Sequence, residues 1–118
     1  MEFDRFTVVL LLLRDDAPKL DGPALDAIQD AHLAHLAKLH EAGHLLAAGP
    51  TLGAPDRRLR GFCLFKVDPD QARALEDEDP AVRAGRFSFE IHTWMVPRGA
   101  IHFTFTRFPH SAAEAVSS

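Results

Sequence analysis

The chain has 118 residues, of which 47% are hydrophobic and 25% are charged, so we expect one compact globular domain. Its formal net charge of −4 argues against a nucleic-acid partner or an anionic membrane surface, because both attract basic proteins. Its single cysteine, Cys63, has no disulfide partner within the chain and lies in an apolar run. We therefore expect a small core residue and a reducing, cytoplasmic location.

The first apolar segment is a predicted strand over residues 5–14, bounded by charged side chains. It is too short to span a bilayer, and acidic residues stand where a signal peptide would be basic. Because nearly every position is apolar, the pattern indicates a strand that is covered on both faces. Helices can cover only one face in so small a domain, so we expect the other face to meet a second copy of the chain.

A helix is predicted over residues 24–42, with its cap at residues 21–22 and Pro23 in its first turn. One apolar stripe of this helix contains a single polar side chain, His32. Gly43 is expected to end the helix in a left-handed conformation. The residues of the stripe are Leu25, Ile28, His32, Leu36 and Leu39.

Three further strands are predicted, over residues 44–48, 59–67 and 86–96. A hairpin loop at residues 53–58 joins the first two of them. A second helix opens at Asp68 and Pro69, since an aspartate followed by proline suits a helix start. Asp79 and Pro80 repeat this pattern and begin one more helical turn.

The order strand, helix, strand, strand, helix, strand is the ferredoxin-like, or split βαβ, pattern. It predicts an α+β domain over residues 1–97, with a four-stranded antiparallel sheet and two helices on one face. The other face would carry apolar and aromatic side chains, which the pairing of two sheets in a homodimer would hide. Residues 98–118 are interpreted as a C-terminal extension that forms an edge strand or an arm, followed by a flexible end.

Three separated segments, HLAHLAKL, LLAAGP and EDEDPAVRAGRF, occur in the order found in YCII-related proteins. The chain resembles that family over residues 6–97. The resemblance implies a ferredoxin-like domain that pairs through its sheets as a dimeric α/β barrel, with a His–Asp active site at His32 and Asp79. It also implies a lyase, such as a dehydrochlorinase, or an isomerase that transfers protons on small aromatic or enolisable molecules.

His32 and Asp79 each have a simpler interpretation, which the sequence leaves open. A histidine on an apolar stripe can be a core residue bonded to a backbone carbonyl, and an aspartate before proline is an ordinary helix cap. As a catalytic residue, His32 would exchange a proton near neutral pH while Asp79 fixes its tautomer. Arg83 is a candidate for binding an anionic substrate group, and Gly49 and Pro50 are candidates for shaping the pocket.

Residues 40–44, HEAGH, match the zinc-protease pattern H-E-x-x-H but are not expected to bind zinc. Such a site needs both histidines on one face of a continuing helix, and Gly43 interrupts this one. The sequence has no glycine-rich phosphate loop and no recognisable serine or cysteine nucleophile motif. We therefore expect no metal and no cofactor. The alternative to an enzyme is a non-catalytic module of the same fold that binds a small molecule or dimerises.

Overall fold

The computed structural model describes residues 1–53 and 55–116, which contain one antiparallel sheet with helices packed against it. The strands are β1 (Phe3–Leu13), β2 (Leu45–Pro50), β3 (Leu59–Phe65) and β4 (Phe87–Pro97). The helices are α1 (Gly22–Glu41), α2 (Pro69–Asp77), α3 (Pro80–Arg83) and α4 (Ala112–Val116). The sheet order is β2-β3-β1-β4, which confirms the predicted ferredoxin-like α+β fold. The predicted hairpin loop includes Ala54, which lies outside the described residues.

Strand β1 lies inside the sheet and has apolar side chains on both faces. Val9 and Leu11 point toward the helices and are buried in the main hydrophobic core. Val8 and Leu12 alternate with them on the opposite face and are buried as well. The continuous apolar pattern of this strand therefore reflects burial on both sides, as the sequence predicted.

The ends of α1 follow from the residues that flank it. The Asp21 side chain accepts a hydrogen bond from the backbone N–H of Ala24 at 2.9 Å, which caps the first turn. The helix begins at Gly22, two residues before the predicted start, and ends at Glu41. Gly43 follows with φ of +83°, the left-handed conformation that a glycine adopts at little cost.

Two short helices join α1 on the same face of the sheet. Asp68 caps α2 by accepting from the N–H of Gln71 at 2.8 Å, as the sequence predicted. Ala72 of α2 and Ala81 of α3 are almost completely buried in the core that α1 shares. Their small side chains let both helices approach the sheet closely, and this brings the residue between the two helices, Asp79, into the interior.

The sheet face opposite these helices is only partly covered, and it carries apolar side chains together with the exposed Glu90 and His92 of β4. Phe62 and Trp94 lie on this face with 39% and 42% of their surface exposed. Phe103 from the C-terminal extension packs edge-on against Phe6, with ring centroids 5.4 Å apart. The extension therefore covers one end of this face and leaves other aromatic side chains in contact with solvent.

The C-terminal extension forms an arm within residues 98–116, and none of these residues belongs to a strand. The arm runs from Phe6 of β1 to the surface of α1, where the N–H of Ala112 donates to the Asp30 carboxylate at 2.9 Å. Helix α4 occupies part of the predicted flexible end, and residues 117 and 118 lie outside the described residues. The domain division at residue 97 stays a prediction.

His40 of α1 is the main attachment point of this arm. Its Nδ1 donates to the carbonyl of Leu45 at 2.7 Å, and its Nε2 accepts from the N–H of Thr106 at 3.2 Å. Its ring also stacks against Phe105 and Phe108, with centroids 4.9 Å and 4.0 Å away. One buried imidazole therefore links the end of α1, the start of β2 and the arm.

Replacing His40 with alanine is expected to detach the arm. The buried carbonyl of Leu45 and the N–H of Thr106 would lose their partner, so the free energy of unfolding should fall by about 1–3 kcal/mol. Amide hydrogen exchange should become faster at Thr106 and Phe108. The half-buried His44 offers the matched variant, His44→Ala, which should leave that exchange unchanged. Full protection of Thr106 in the His40 variant would contradict the assignment.

Candidate functional site

His32 and Asp79 meet in the core although 47 residues separate them in the chain. The Nδ1 of His32 lies 2.7 Å from Oδ2 of Asp79, which is hydrogen-bonding distance. The side chain of His32 is 8% exposed and that of Asp79 is fully buried. If Nδ1 carries the proton and donates it to the carboxylate, the lone pair of Nε2 is left for another partner. No hydrogen bond to Nε2 is formed within residues 1–53 and 55–116.

Asp79 uses its two carboxylate oxygens for two different purposes. While Oδ2 faces His32, Oδ1 accepts from the N–H of Ala81 at 2.8 Å and caps α3. The cap holds the carboxylate in one orientation, and the imidazole satisfies its second oxygen. Asp79 therefore caps α3 and bonds to His32 at the same time, and the catalytic role of the pair stays a prediction.

Neighbouring contacts fix the orientation of the His32 ring. The edge of the ring packs against Phe87 at the start of β4, with centroids 5.7 Å apart and the planes 78° from parallel. One turn further along α1, Nε2 of His35 lies 3.0 Å from the carbonyl oxygen of Leu75 in α2. These contacts set the distance of α1 from α2 and from the sheet, and so limit how far His32 can move.

Glu76 is a buried carboxyl group that the sequence analysis missed. Its side chain is fully buried, and neither carboxyl oxygen has a hydrogen-bond partner in the described part of the chain. Burial, together with the negative charges of Asp79 and Asp77, raises the pKa of Glu76 to about 8. At neutral pH Glu76 is therefore mostly uncharged.

The signal for Glu76 was present in the helical period of α2. Glu76 follows the buried Ala72 by four residues, so the two side chains share one side of the helix. Cys63 in β3 is close enough for Glu76 and Asp79 to affect it, and burial with these two charges raises the pKa of its thiol. Cys63 is thus a protonated core residue, in the buried position that the sequence predicted.

The other predicted site residues lie nearer the surface. Arg83 is exposed at the end of α3, one turn after Asp79. Gly49 and Pro50 are exposed at the end of β2, where they pair with Phe62 and Gly61. The loop that follows borders a cavity of about 280 Å³. Their roles in binding a substrate stay predictions.

Two residues of the H-E-x-x-H pattern, His40 and Gly43, have structural roles. His40 has both ring nitrogens engaged by backbone groups, and Gly43 ends the helix before His44. In the part of the chain that the structure describes, no group of three or more His, Cys, Asp or Glu side chains is placed to hold a metal ion. No helix among the described residues is long and apolar enough to cross a membrane.

The fold and the site together define a ferredoxin-like α+β domain with a buried histidine–aspartate hydrogen bond. The chain belongs to the YCII-related domain family, whose sequence profile matches residues 7–95. The family predicted from the three sequence segments is therefore confirmed.

In fold the chain is similar to 5-chloro-2-hydroxyhydroquinone dehydrochlorinase (TftG) from Burkholderia phenoliruptrix AC1100, which was solved in complex with 2,5-dihydroxybenzoquinone. The two chains share 23% sequence identity over 75% of this chain and 92% of that chain, with a TM-score of 0.56. At this level of identity the likeness shows a common fold. No protein of curated function matches the sequence.

Glu76→Gln is expected to flatten the dependence of stability on pH. Between the ordinary pKa of 4.5 and the folded pKa of about 8, the folded protein holds a proton that the unfolded chain has released. This group therefore lowers the free energy of unfolding as pH rises, by up to about 1.4 kcal/mol per pH unit. Denaturant unfolding at pH 5, 6.5 and 8 would show that the glutamine variant lacks this decline.

The adjacent exposed carboxylate provides the control for this measurement. Asp77→Asn removes a charge next to Glu76 in sequence but keeps the buried carboxyl group, so most of the decline should remain. An unchanged slope in the Glu76 variant would mean that Glu76 is ionised at neutral pH in the folded protein.

Proposed function

We propose that this protein is a small-molecule lyase or isomerase in which His32 transfers a proton and Asp79 positions the imidazole. The observation that carries the proposal is the 2.7 Å hydrogen bond between the two buried side chains. An imidazole titrates near neutral pH, so it can take up a proton and return it without extreme tuning. With Nδ1 held by Asp79, Nε2 is the atom that would face the substrate.

The geometry supports a simple division of roles. Asp79 is fixed by the N–H of Ala81, and its charge stabilises the imidazolium that forms when Nε2 takes a proton. In an isomerase the same proton would return to a different substrate atom. In a lyase the electron pair of the broken bond would form a double bond and expel the leaving group as an anion. Neither step requires a cofactor.

A small aromatic or enolisable molecule is the substrate class we favour. TftG, which has a similar fold, is a 5-chloro-2-hydroxyhydroquinone dehydrochlorinase, and its complex contains 2,5-dihydroxybenzoquinone. Molecules of this kind have acidic protons whose removal creates a delocalised anion. Arg83, Gly49 and Pro50 are proposed to contribute to binding at the rim of the site, where their exposed positions could reach a ligand.

We further propose that the protein works as a cytoplasmic homodimer whose sheets pair as an α/β barrel. The exposed rings of Phe62 and Trp94, on the sheet face opposite the helices, support this arrangement. Burial of aromatic side chains is a major source of association free energy, so a second copy that covers these two rings would gain free energy by removing them from water. The buried, reduced Cys63 agrees with a reducing compartment.

Replacing His32 with asparagine is expected to lower turnover by about 100-fold or more, because asparagine cannot exchange a proton near neutral pH. Chloride release from chlorinated hydroxyhydroquinones and deuterium exchange into enolisable lactones would be measured. Asp79→Asn should also reduce the rate. His44→Asn, which follows α1 and lies outside the His32–Asp79 pair, is the matched control and should retain activity. Saturable binding with no product from any compound would instead favour the non-catalytic binding module.

The dimer is tested by a charge placed on its proposed interface. Wild-type protein should have twice the mass of one chain by light scattering, and Trp94→Glu should have the mass of one chain, since the interface would bury an unpaired charge. Leu52→Glu changes another exposed apolar residue, 93% exposed and outside the sheet, and should remain dimeric. A monomeric wild type would refute both the dimer and the barrel.

A further inference from the structure

A partly buried arginine, with one buried N–H that no described residue accepts, lies beside the candidate active site. Arg86 directly precedes β4, and its Nε is buried with no hydrogen-bond partner among the described residues. Its guanidinium group lies over the ring of Phe87, 5.2 Å from the ring centroid. A buried, unsatisfied donor on a charged group is costly, so such an arrangement persists where it serves a purpose.

A second arginine increases this positive charge. Burial and the charge of Arg60 both lower the pKa of Arg86, and within the described ranges neither guanidinium forms an ion pair. The Nε of Arg60 donates only to the backbone carbonyl of Arg57, at 2.6 Å. Arg60 also borders the cavity of about 280 Å³ beyond β2. The two cations thus affect each other electrostatically, and no ion pair with a carboxylate is formed by either among the described residues, in a protein whose net charge is −4.

One aromatic ring separates this positive charge from His32. Phe87 contacts the His32 ring at a centroid distance of 5.7 Å and carries the guanidinium of Arg86 at 5.2 Å. Arg86 and His32 thus contact the same ring, which is itself 6% exposed. A molecule with its anionic end at Arg86 would reach Nε2 of His32 past the edge of this ring. A proton acceptor and a cation held by one apolar side chain are groups that suit a compact organic acid.

We propose that Arg86, assisted by Arg60, binds the carboxylate of a small organic acid and orients it toward His32. A guanidinium presents parallel N–H donors that match the two oxygens of a carboxylate, which gives orientation as well as affinity. The bound carboxylate would supply the missing hydrogen-bond partner of Nε and offset the repulsion between the two arginines. That this acid is the substrate rests on the proposed function, whereas the anion site itself does not.

Titration calorimetry with benzoate, and with benzamide as its uncharged analogue, tests the site. Wild-type protein should bind benzoate saturably and benzamide at least about tenfold more weakly, since hydrogen bonds to charged partners are the strong ones. Arg86→Met should weaken benzoate binding about tenfold or more, and Arg60→Met should weaken it severalfold. Arg73→Met is the matched control, because Arg73 also lies over a phenylalanine ring, 5.7 Å from Phe89, yet is exposed.

Two further variants keep the test decisive. Arg86→Lys retains the charge but loses the planar donor pair, so it should bind benzoate less tightly than wild type even if the methionine variant folds poorly. His32→Asn should keep benzoate affinity within about threefold of wild type. Its loss of turnover reports on the proposed function, and its benzoate affinity reports on the anion site.

Three results would overturn the anion site. These are equal affinity for benzamide and benzoate, wild-type affinity in a folded Arg86→Met protein, and no saturable binding of benzoate by the wild type. Retained turnover in His32→Asn would instead refute the proton-transfer role of His32 and leave the anion site standing if the arginine variants lose binding.

Discussion

The hydrogen bond between His32 and Asp79 is the contact on which the arrangement of the helices depends. It joins α1 to the start of α3 through two side chains that have almost no access to water. Removing either partner would leave a polar or charged group buried without compensation, which costs more than the bond itself contributes. The contact that positions the imidazole therefore also holds the two helices together, so the atoms of the proposed site also stabilise the fold.

Two buried carboxyl groups near this bond have different surroundings. Both oxygens of Asp79 have a partner, the N–H of Ala81 for one and His32 for the other. Glu76 lacks such donors among the described residues, and burial raises its pKa to about 8. A second negative charge beside Asp79 would be strongly repelled. The neutral state of Glu76 thus avoids this repulsion, as paired carboxyl groups in different environments often do.

The sequence predicted the features that depend on local chemistry. The cap at Asp21, the stop at Gly43 and the position of His32 on the apolar stripe all follow from the period and the ends of one helix. Glu76 was missed because it stands in the acidic run EDED, which suggests a solvated face, although its spacing from Ala72 placed it on the buried side of α2. The attachment of the arm at His40 likewise depends on contacts between residues far apart in the chain, which periodicity does not encode.

Phe87 contacts two polar side chains, His32 and Arg86, whose chemistry is complementary. His32 offers a nitrogen lone pair, and Arg86 offers a buried N–H that no described residue accepts. A fold selected only for stability would replace such a cation with an apolar side chain of similar volume. Retaining it makes sense if a ligand neutralises the charge, because binding then recovers free energy that folding alone does not. The phenylalanine between them would determine the length of the molecule that satisfies both groups.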